Sequence, residues 1–331
     1  MRDEIGNETV LVTGSAGFIG SHVSDALMHR GCRVVGVDNF DPYYDLERKR
    51  LNHKRLTDTH GDRFSCAELD ITDGEAIERL MSEHGVHGVI HLAAKAGVRP
   101  SIEDPTGYAI ANVVGTQAVL RAATACGCKR VVCASSSSVY GNNKKTPFSE
   151  QDSVEHPISP YAATKRSCEL IGETHHHLTG LPVAMLRFFT VFGPGQRPDL
   201  AISLFLRKIA RGETINRFGD GSTSRDYTFI DDIVDGVIRS YERVDSHGYR
   251  IWNLGGDHPT TLNELIETIS QTVGREAQIN QMGMQPGDVD RTWADLTRSK
   301  AELGYAPTTG IADGIAHQWA WMQEHAELVL S

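Results

Sequence analysis

Tyr161 and Lys165 stand four residues apart in the segment Tyr161-Ala162-Ala163-Thr164-Lys165, downstream of four consecutive serines, Ser135 to Ser138. On a helix, side chains at i and i+4 share a face with Cβ atoms about 5–6 Å apart, so the Lys165 ammonium is placed to favour the ionised form of the Tyr161 phenol. A free tyrosine titrates near pH ~10. A neighbouring cation lowers that value and makes the phenolate a usable general base at neutral pH. The pattern therefore describes a device for taking a proton from an alcohol. A tyrosine and a lysine one turn apart more often form a solvated pair, so the assignment depends on what the chain builds around them.

The amino-terminal segment is the first part of that context. Thr9 to Thr13 is a β-branched apolar run of the kind that forms a strand covered on both faces, and Gly14-Ser15-Ala16-Gly17-Phe18-Ile19-Gly20 follows at once. Ile19, Val23, Ala26 and Leu27 then recur at helical spacing, with Gly31 after His29 and Arg30 as a stop. Gly14, Gly17 and Gly20 permit a tight turn, close approach of backbone to a pyrophosphate, and close packing of helix on strand. The helix amino terminus at Phe18 and Ile19 offers free N–H groups to the anion. A second strand, Arg33 to Val37, ends at Asp38-Asn39. A carboxylate there accepts hydrogen bonds from ribose hydroxyls and repels a 2′-phosphate, which favours NAD over NADP. Phe64 to Leu69 reads as a third strand delivering Asp70 to the adenine amino group and Ile71 to the adenine face. Val86 to His91 leads into Leu92-Ala93-Ala94, small residues that let backbone approach the diphosphate.

Strands and helices continue to alternate. A helical pattern runs from Pro105 to Ala125, Val131 to Ala134 delivers the serine run at the carboxyl edge of a sheet, the helix bearing Tyr161 starts after Pro160, and Val183 to Phe188 is a further strand. This rhythm is that of an α/β doubly wound parallel sheet of the Rossmann type. Beyond Thr190 it loosens into Gly193-Pro194-Gly195 and Gly219-Asp220-Gly221 loops, with helices near Asp231 to Tyr241 and Thr261 to Val273. The expected division is an NAD-binding domain over 1–187, to which 231–255 returns, and a smaller C-terminal α/β substrate lobe over 188–230 and 256–331. At 331 residues and 40% hydrophobic content the chain can bury a sizeable core. Its net charge of −10 and the lack of a basic stripe argue against a nucleic-acid partner. No apolar run approaches the ~18 residues of a membrane span. No apolar signal core follows Met1, so a cytoplasmic location is expected. Six cysteines without a paired C-x-x-C framework read as reduced, structural thiols. Cys126 with Cys128, and His175-His176-His177, read as loop and helix-end residues, and no metal is expected.

Eight ordered segments, VTGSAGFIGSHV (12–23), GVDNFDPYYD (36–45), HLAAKAGVR (91–99), ASSSSVYG (134–141), SPYAATK (159–165), LRFFTVFGP (186–194), RDYTFIDDIV (225–234) and QPGDV (285–289), resemble the extended short-chain dehydrogenase/reductase family, specifically its nucleotide-sugar epimerases. The resemblance runs almost end to end. It implies that NAD stays bound through the cycle, that Tyr161 removes the proton of the sugar 4-hydroxyl while the C4 hydride passes to NAD, and that a transient 4-keto sugar is reduced on its other face. Ser136 then bonds the reacting oxygen, and Lys165 holds the nicotinamide ribose and lowers the tyrosine pKa. Thr190 and Gln285 replace the Asn and Arg usual in the glucose-type 4-epimerases, and with Arg197-Pro198-Asp199 and Gln285 to Val289 they look like the branch acting on UDP-glucuronate. That resemblance implies C4 epimerisation of UDP-glucuronate to UDP-galacturonate, with UDP-glucose/galactose 4-epimerisation and UDP-glucuronate decarboxylation as alternatives. Arg197 is suited to grip a planar carboxylate bidentately, with Thr190 adding a hydroxyl. Arg99 aligns with the same branch. Arg225 and Arg291 are candidates for the UDP diphosphate and Asp288 for the nucleoside ribose. Ser137 and Ser138 stand where decarboxylating or dehydrating relatives place Asp or Glu, so the sugar meets hydroxyls there and no acid. Lys95 departs from the glutamine expected of this branch. A homodimer through the Pro105–Ala125 and Tyr161–Thr179 helices is also implied.

Overall fold

The computed structural model describes residues 5–43, 46–283 and 289–329. Seven parallel strands form the central sheet in the order β10-β6-β5-β4-β1-β2-β3, where β1 is Thr9–Thr13, β2 Arg33–Asp38, β3 Phe64–Glu68, β4 Gly88–His91, β5 Arg130–Ser136, β6 Val183–Phe188 and β10 Tyr249–Leu254. The near-continuous apolar runs follow from burial on both faces. Successive side chains alternate between two cores: Val10, Val12, Ile90, Val132, Ala184 and Leu186 enter one, and Leu11, Val89, Val131, Val183 and Met185 the other. The Phe18–His29 and Ile230–Arg243 helices close the first face with Val23, Leu27, Ile233 and Val237. Helices Gly74–His84, Gly115–Ala125 and Pro160–Thr179 close the second with Ile77, Met81, Val119, Leu120 and Cys168.

The first strand pairs with β2 on one side and β4 on the other, so strand order reverses there and a crevice opens beyond the carboxyl ends. Two small sheets, β11-β9-β7 and β12-β8, are formed by β7 (Thr190–Phe192), β8 (Ile215–Phe218), β9 (Ser224–Phe229), β11 (Pro259–Thr261) and β12 (Ile279–Met282), and β7 borders the crevice through Thr190 and Val191. Phe189 alone separates β6 from β7, so the chain passes from the large sheet to the small one at the crevice.

One element differs from the sequence expectation, and one was not anticipated by it. The helix over Pro105 to Ala125 is broken: an α-turn, Pro105–Tyr108, leads into a π-helical stretch, Ala109–Val114, before α-helix resumes at Gly115. Within that stretch the Asn112 side chain accepts from Lys95 N–H (2.9 Å) and donates to the Lys95 carbonyl (3.0 Å). The helix Leu46–His60 has little apolar periodicity, and the buried residues it contributes are Arg48, Lys49, Leu56 and His60.

Candidate active site

A cavity of about 760 Å³ lies along the carboxyl edge of the large sheet and reaches under β7. Its dinucleotide end is shaped by glycines. Gly14 sits at φ +71°, and a Cβ there would lie 2.9 Å from the Ala93 backbone nitrogen; a Cβ on Gly20 would lie 2.0 Å from the Gly14 carbonyl oxygen. Neither site admits a side chain without moving backbone. Gly17 precedes the Phe18–His29 helix, and no side chain caps that terminus, which leaves its first N–H groups facing the cavity for an anion. Asp38 is buried at the end of β2 and accepts from Ala16 N–H (3.2 Å), Phe40 N–H (2.9 Å) and the Lys49 ammonium (3.0 Å). Asp70 accepts from Asn39 Nδ2 (2.9 Å) and from the Thr72 N–H and hydroxyl. Ile71, Leu92, Ala93 and Ala94 complete this wall. A cradle that Cβ atoms would fill, an uncapped helix terminus and a strand-end carboxylate fit a dinucleotide without a 2′-phosphate.

A buried network holds the Leu92–Ala93 corner in place. Both N–H groups donate to Thr13 Oγ1 at 3.1 Å. The Thr13 hydroxyl must then donate to His91 Nδ1 (2.7 Å), which leaves Nε2–H to donate to Thr116 Oγ1 (3.1 Å). Burial, reinforced by the Lys165 charge, pushes the His91 pKa down to about 3, so the ring stays neutral.

At the reactive end, Ser159 caps the Pro160–Thr179 helix by accepting from Ala162 N–H (3.1 Å), with Pro160 at its first position. Tyr161 therefore enters in the first turn, where its own N–H has no helical partner and donates to Ser101 Oγ (3.1 Å). Its ring meets Tyr108 edge to face, centroids 6.2 Å apart. Lys165 is buried one turn further on, and its ammonium donates to the Ala134 carbonyl at 2.9 Å, just behind the cavity wall. It is therefore not half of a solvated pair. All four serines of the run line the cavity, and the Ser135 hydroxyl also donates to buried Glu169 (2.7 Å). Ser136 Oγ accepts from Ser138 N–H (3.2 Å) and donates to Ser138 Oγ (3.1 Å).

Gly14, Gly17, Phe18, Ile19, Gly20, Asp38, Asn39, Asp70, Tyr161, Thr190, Arg197 and Arg99 thus share one cavity with the serines. Arg197 is committed differently from the sequence expectation. Its bidentate face is turned on Asp199 (Nε–Oδ1 3.0 Å, Nη2–Oδ2 2.6 Å), not left open for a ligand. Arg99 stacks over Phe218 of β8, 5.6 Å from its centroid. Arg225, on β9, and Arg291, bridged to Ser224 of that strand, lie outside the cavity lining, and Arg225 donates to the Ser224 carbonyl. Asp288 and Gln285 lie outside the described residues. Lys95 pairs with Asp104 at 3.0 Å. The Cys126 and Cys128 thiols donate to the Glu78 and Val86 carbonyls, and His175 and His176 bond Thr124 and the Leu181 carbonyl.

Tyr43, Lys49, His91, Tyr108 and Asn112 contribute to the site without having been singled out by motif. For Asn112 and Tyr108 the signal was present, since both lie on the helical run opposite the Tyr161 helix. For Tyr43 it was not, because Ala96 and Arg197, which it faces, are distant in sequence.

Residues 10–255 match the family described as the NAD dependent epimerase/dehydratase family. The chain is 40% identical over 324 residues to the UDP-glucuronate 4-epimerase of Thermodesulfobacterium geofontis, covering 97% of this chain and 98% of that one. Among solved structures it resembles the UDP-glucuronic acid 4-epimerase of Bacillus cereus in complex with UDP-glucuronic acid and NAD, at TM-score 0.89 and 32% identity over 96% of this chain and 99% of the other. It also resembles the UDP-glucose 4-epimerase of Thermotoga maritima with UDP-glucose, at TM-score 0.87 and 31% identity over 96% and 99%.

Proposed function

Because the chain belongs to the NAD dependent epimerase/dehydratase family, we propose that it is a UDP-glucuronate 4-epimerase, an isomerase that inverts C4 to give UDP-galacturonate. The observation that carries this reading is one cavity holding the Tyr161 phenol, the Ser136 to Ser138 hydroxyls, Thr190 and the Arg197 guanidinium beside a dinucleotide cradle.

Gly14, Gly17, Gly20 and the helix terminus after them hold the diphosphate of NAD, Asp38 the adenosine ribose, Asn39, Asp70 and Ile71 the adenine, and Lys165 the nicotinamide ribose. When bound, NAD supplies a reversible hydride acceptor for C4. Tyr161 takes the 4-hydroxyl proton as C4 becomes a ketone and returns it to the same oxygen when C4 is reduced from its opposite face. Ser136 donates to that oxygen as charge develops on it. Lys165 is fixed behind the wall by its bond to the Ala134 carbonyl, one helical turn from Tyr161.

A 4-keto glucuronate is a β-keto acid and loses carbon dioxide when its carboxylate aligns with the carbonyl π system. Arg197 and Thr190 hold the carboxylate out of that alignment, and Ser137 and Ser138 present hydroxyls where an acid would assist a different outcome. Arg225 and Arg291 serve the diphosphate end and Asp288 the nucleoside, so residues 188–230 and 256–331 form the nucleotide-sugar lobe; residues 1–187 with 231–255 form the NAD-binding domain, from which Arg99 also reaches the substrate.

Two further assignments rest on surfaces. Val114 on the Ala109–Val114 stretch and Leu170 and Leu178 on the Tyr161 helix expose apolar side chains, Leu178 at 75% of its area, and suit these segments to contact with a second copy of the chain. All six cysteines are free thiols, as expected of a protein kept in the reducing cytoplasm. No helix among the described residues is long and apolar enough to cross a membrane.

The test is direct. Incubated with UDP-glucuronate, UDP-glucose or UDP-xylose and no added reductant, the protein is expected to convert the first to its C4 epimer fastest, read from anomeric proton signals, without releasing carbon dioxide. Faster turnover of UDP-glucose would assign it to the glucose-type epimerases, and carbon dioxide release to the decarboxylases.

A further inference from the structure

The loop after β2 leaves the ribose end of the cavity at Asp38 and carries Tyr43 across to the sugar end. There the Tyr43 ring lies against the Arg197 guanidinium, 4.7 Å from ring centroid to Cζ, and its hydroxyl accepts from Arg197 Nη2 at 3.3 Å. The same hydroxyl donates to the Ala96 carbonyl at 3.0 Å. That carbonyl is a meeting point, because Tyr108 donates to it at 3.0 Å and Arg197 Nη1 approaches it at 3.4 Å. The backbone is shaped for the arrangement: Gly97 sits at φ +116°, and a Cβ there would lie 3.1 Å from the Tyr43 hydroxyl. Tyr108 is buried and packs its ring on that of Tyr161. A continuous path of contacts therefore runs from Arg197 through Tyr43, the Ala96 carbonyl and Tyr108 to the phenol at the reacting carbon.

The two partners of Arg197 are not equivalent. The Asp199 side chain is 49% exposed, against 14% for that of Arg197, so Asp199 can turn into water when another carboxylate arrives. Tyr43 stays, held by the Ala96 carbonyl and by its own N–H to Asp41 Oδ1 (2.8 Å). A guanidinium stacked on an aromatic face keeps its plane and its outward edge fixed while its carboxylate partner is exchanged.

We propose that Tyr43 is a specificity-determining positioning residue: it fixes the plane of Arg197 so that a sugar bearing a carboxylate at C5 displaces Asp199, and it couples that event through the Ala96 carbonyl and Tyr108 to the position of Tyr161. The proposal rests on the reading of Arg197 as the carboxylate-binding group.

The test uses the full chain carrying its NAD. KM and kcat are measured for UDP-glucuronate and UDP-glucose in the parent protein, Arg197→Ala, Tyr43→Leu, Tyr43→Phe and the double variant Arg197→Ala/Tyr43→Leu. Arg197→Ala is expected to raise KM for UDP-glucuronate far more than for UDP-glucose. Tyr43→Leu is expected to raise the ratio of the two KM values about three- to thirty-fold, in proportion to a lost cation–π contact. Tyr43→Phe, which keeps the ring, should move the ratio in the same direction by less. Added to Arg197→Ala, Tyr43→Leu should change the ratio no further, because its effect acts through the guanidinium. If Arg197→Ala treats both sugars alike, the carboxylate reading falls and this proposal with it. If Arg197→Ala discriminates but both Tyr43 variants leave the ratio unchanged, or if the double variant shows the product of the single effects, this proposal alone is overturned. Should Tyr43→Leu fail to retain NAD, Tyr43→Phe decides: a shifted ratio supports the proposal and an unshifted one removes it.

Discussion

Tyr161→Phe is expected to lower kcat for UDP-glucuronate by about 10²–10⁴-fold, the range for loss of a positioned general base, while NAD remains bound. The substitution removes one oxygen and little else. The N–H of residue 161 still donates to Ser101, the ring still packs edge to face on Tyr108, and Ser159 still caps the helix. Lys165 keeps its bond to the Ala134 carbonyl, so the cofactor side of the site is undisturbed. The check pairs single-turnover rates with the absorbance of nucleotide released on denaturation. A variant that holds its NAD and still turns over within about threefold of the parent would remove Tyr161 as the base.

Glu169→Ala is expected to destabilise the fold by about 3–5 kcal/mol, the cost of stranding a buried charge. Glu169 and Arg187 are both buried in the core behind the serine run. The carboxylate accepts from Arg187 Nε (2.8 Å) and Nη2 (2.9 Å), from Ser135 (2.7 Å) and from Arg166 (3.1 Å). Arg187 lies over the Tyr140 ring, 4.8 Å from its centroid, its Nη1 has no hydrogen-bond partner among the described residues, and without Glu169 its bidentate counter-charge is lost. The same pair sets the backbone of Ser135 and hence the direction in which Ser136 points, so activity should fall together with stability. Urea unfolding measures the first. A loss below about 1 kcal/mol, the scale of an exposed pair, would mean that water reaches this network.

How much of this was legible depended on whether a signal was local. The alternation of apolar strands and the turn at Gly14, Gly17 and Gly20 are written in consecutive residues, so the parallel sheet and the dinucleotide end follow from period and turn chemistry. The Tyr161–Lys165 spacing likewise places both on one helix. What spacing does not contain is which partner a long polar side chain selects in the fold. Arg197 was legible as a candidate guanidinium with Asp199, two residues on, as a rival partner, but its stack on Tyr43 depends on a loop more than 150 residues away. The Leu46–His60 helix lacked a clear apolar period because its buried side chains include Arg48, which donates to the Gln196 carbonyl, and Lys49, which pairs with Asp38. The π-helical stretch at Ala109–Val114 was hidden too: Asn112 within it bonds the Lys95 backbone, a partner 17 residues away. Polar groups that serve the site displace apolar residues from the positions on which periodicity depends.

Reversible oxidation at C4 is the central claim, and the fate of the C4 hydrogen tests it most directly. With UDP-glucuronate deuterated at C4, in ordinary water and without added nucleotide, the C4 epimer is expected to form with deuterium still at C4 and the carboxylate intact. Product that carries solvent hydrogen at C4, or inversion that proceeds with no NAD in the protein, would contradict the account.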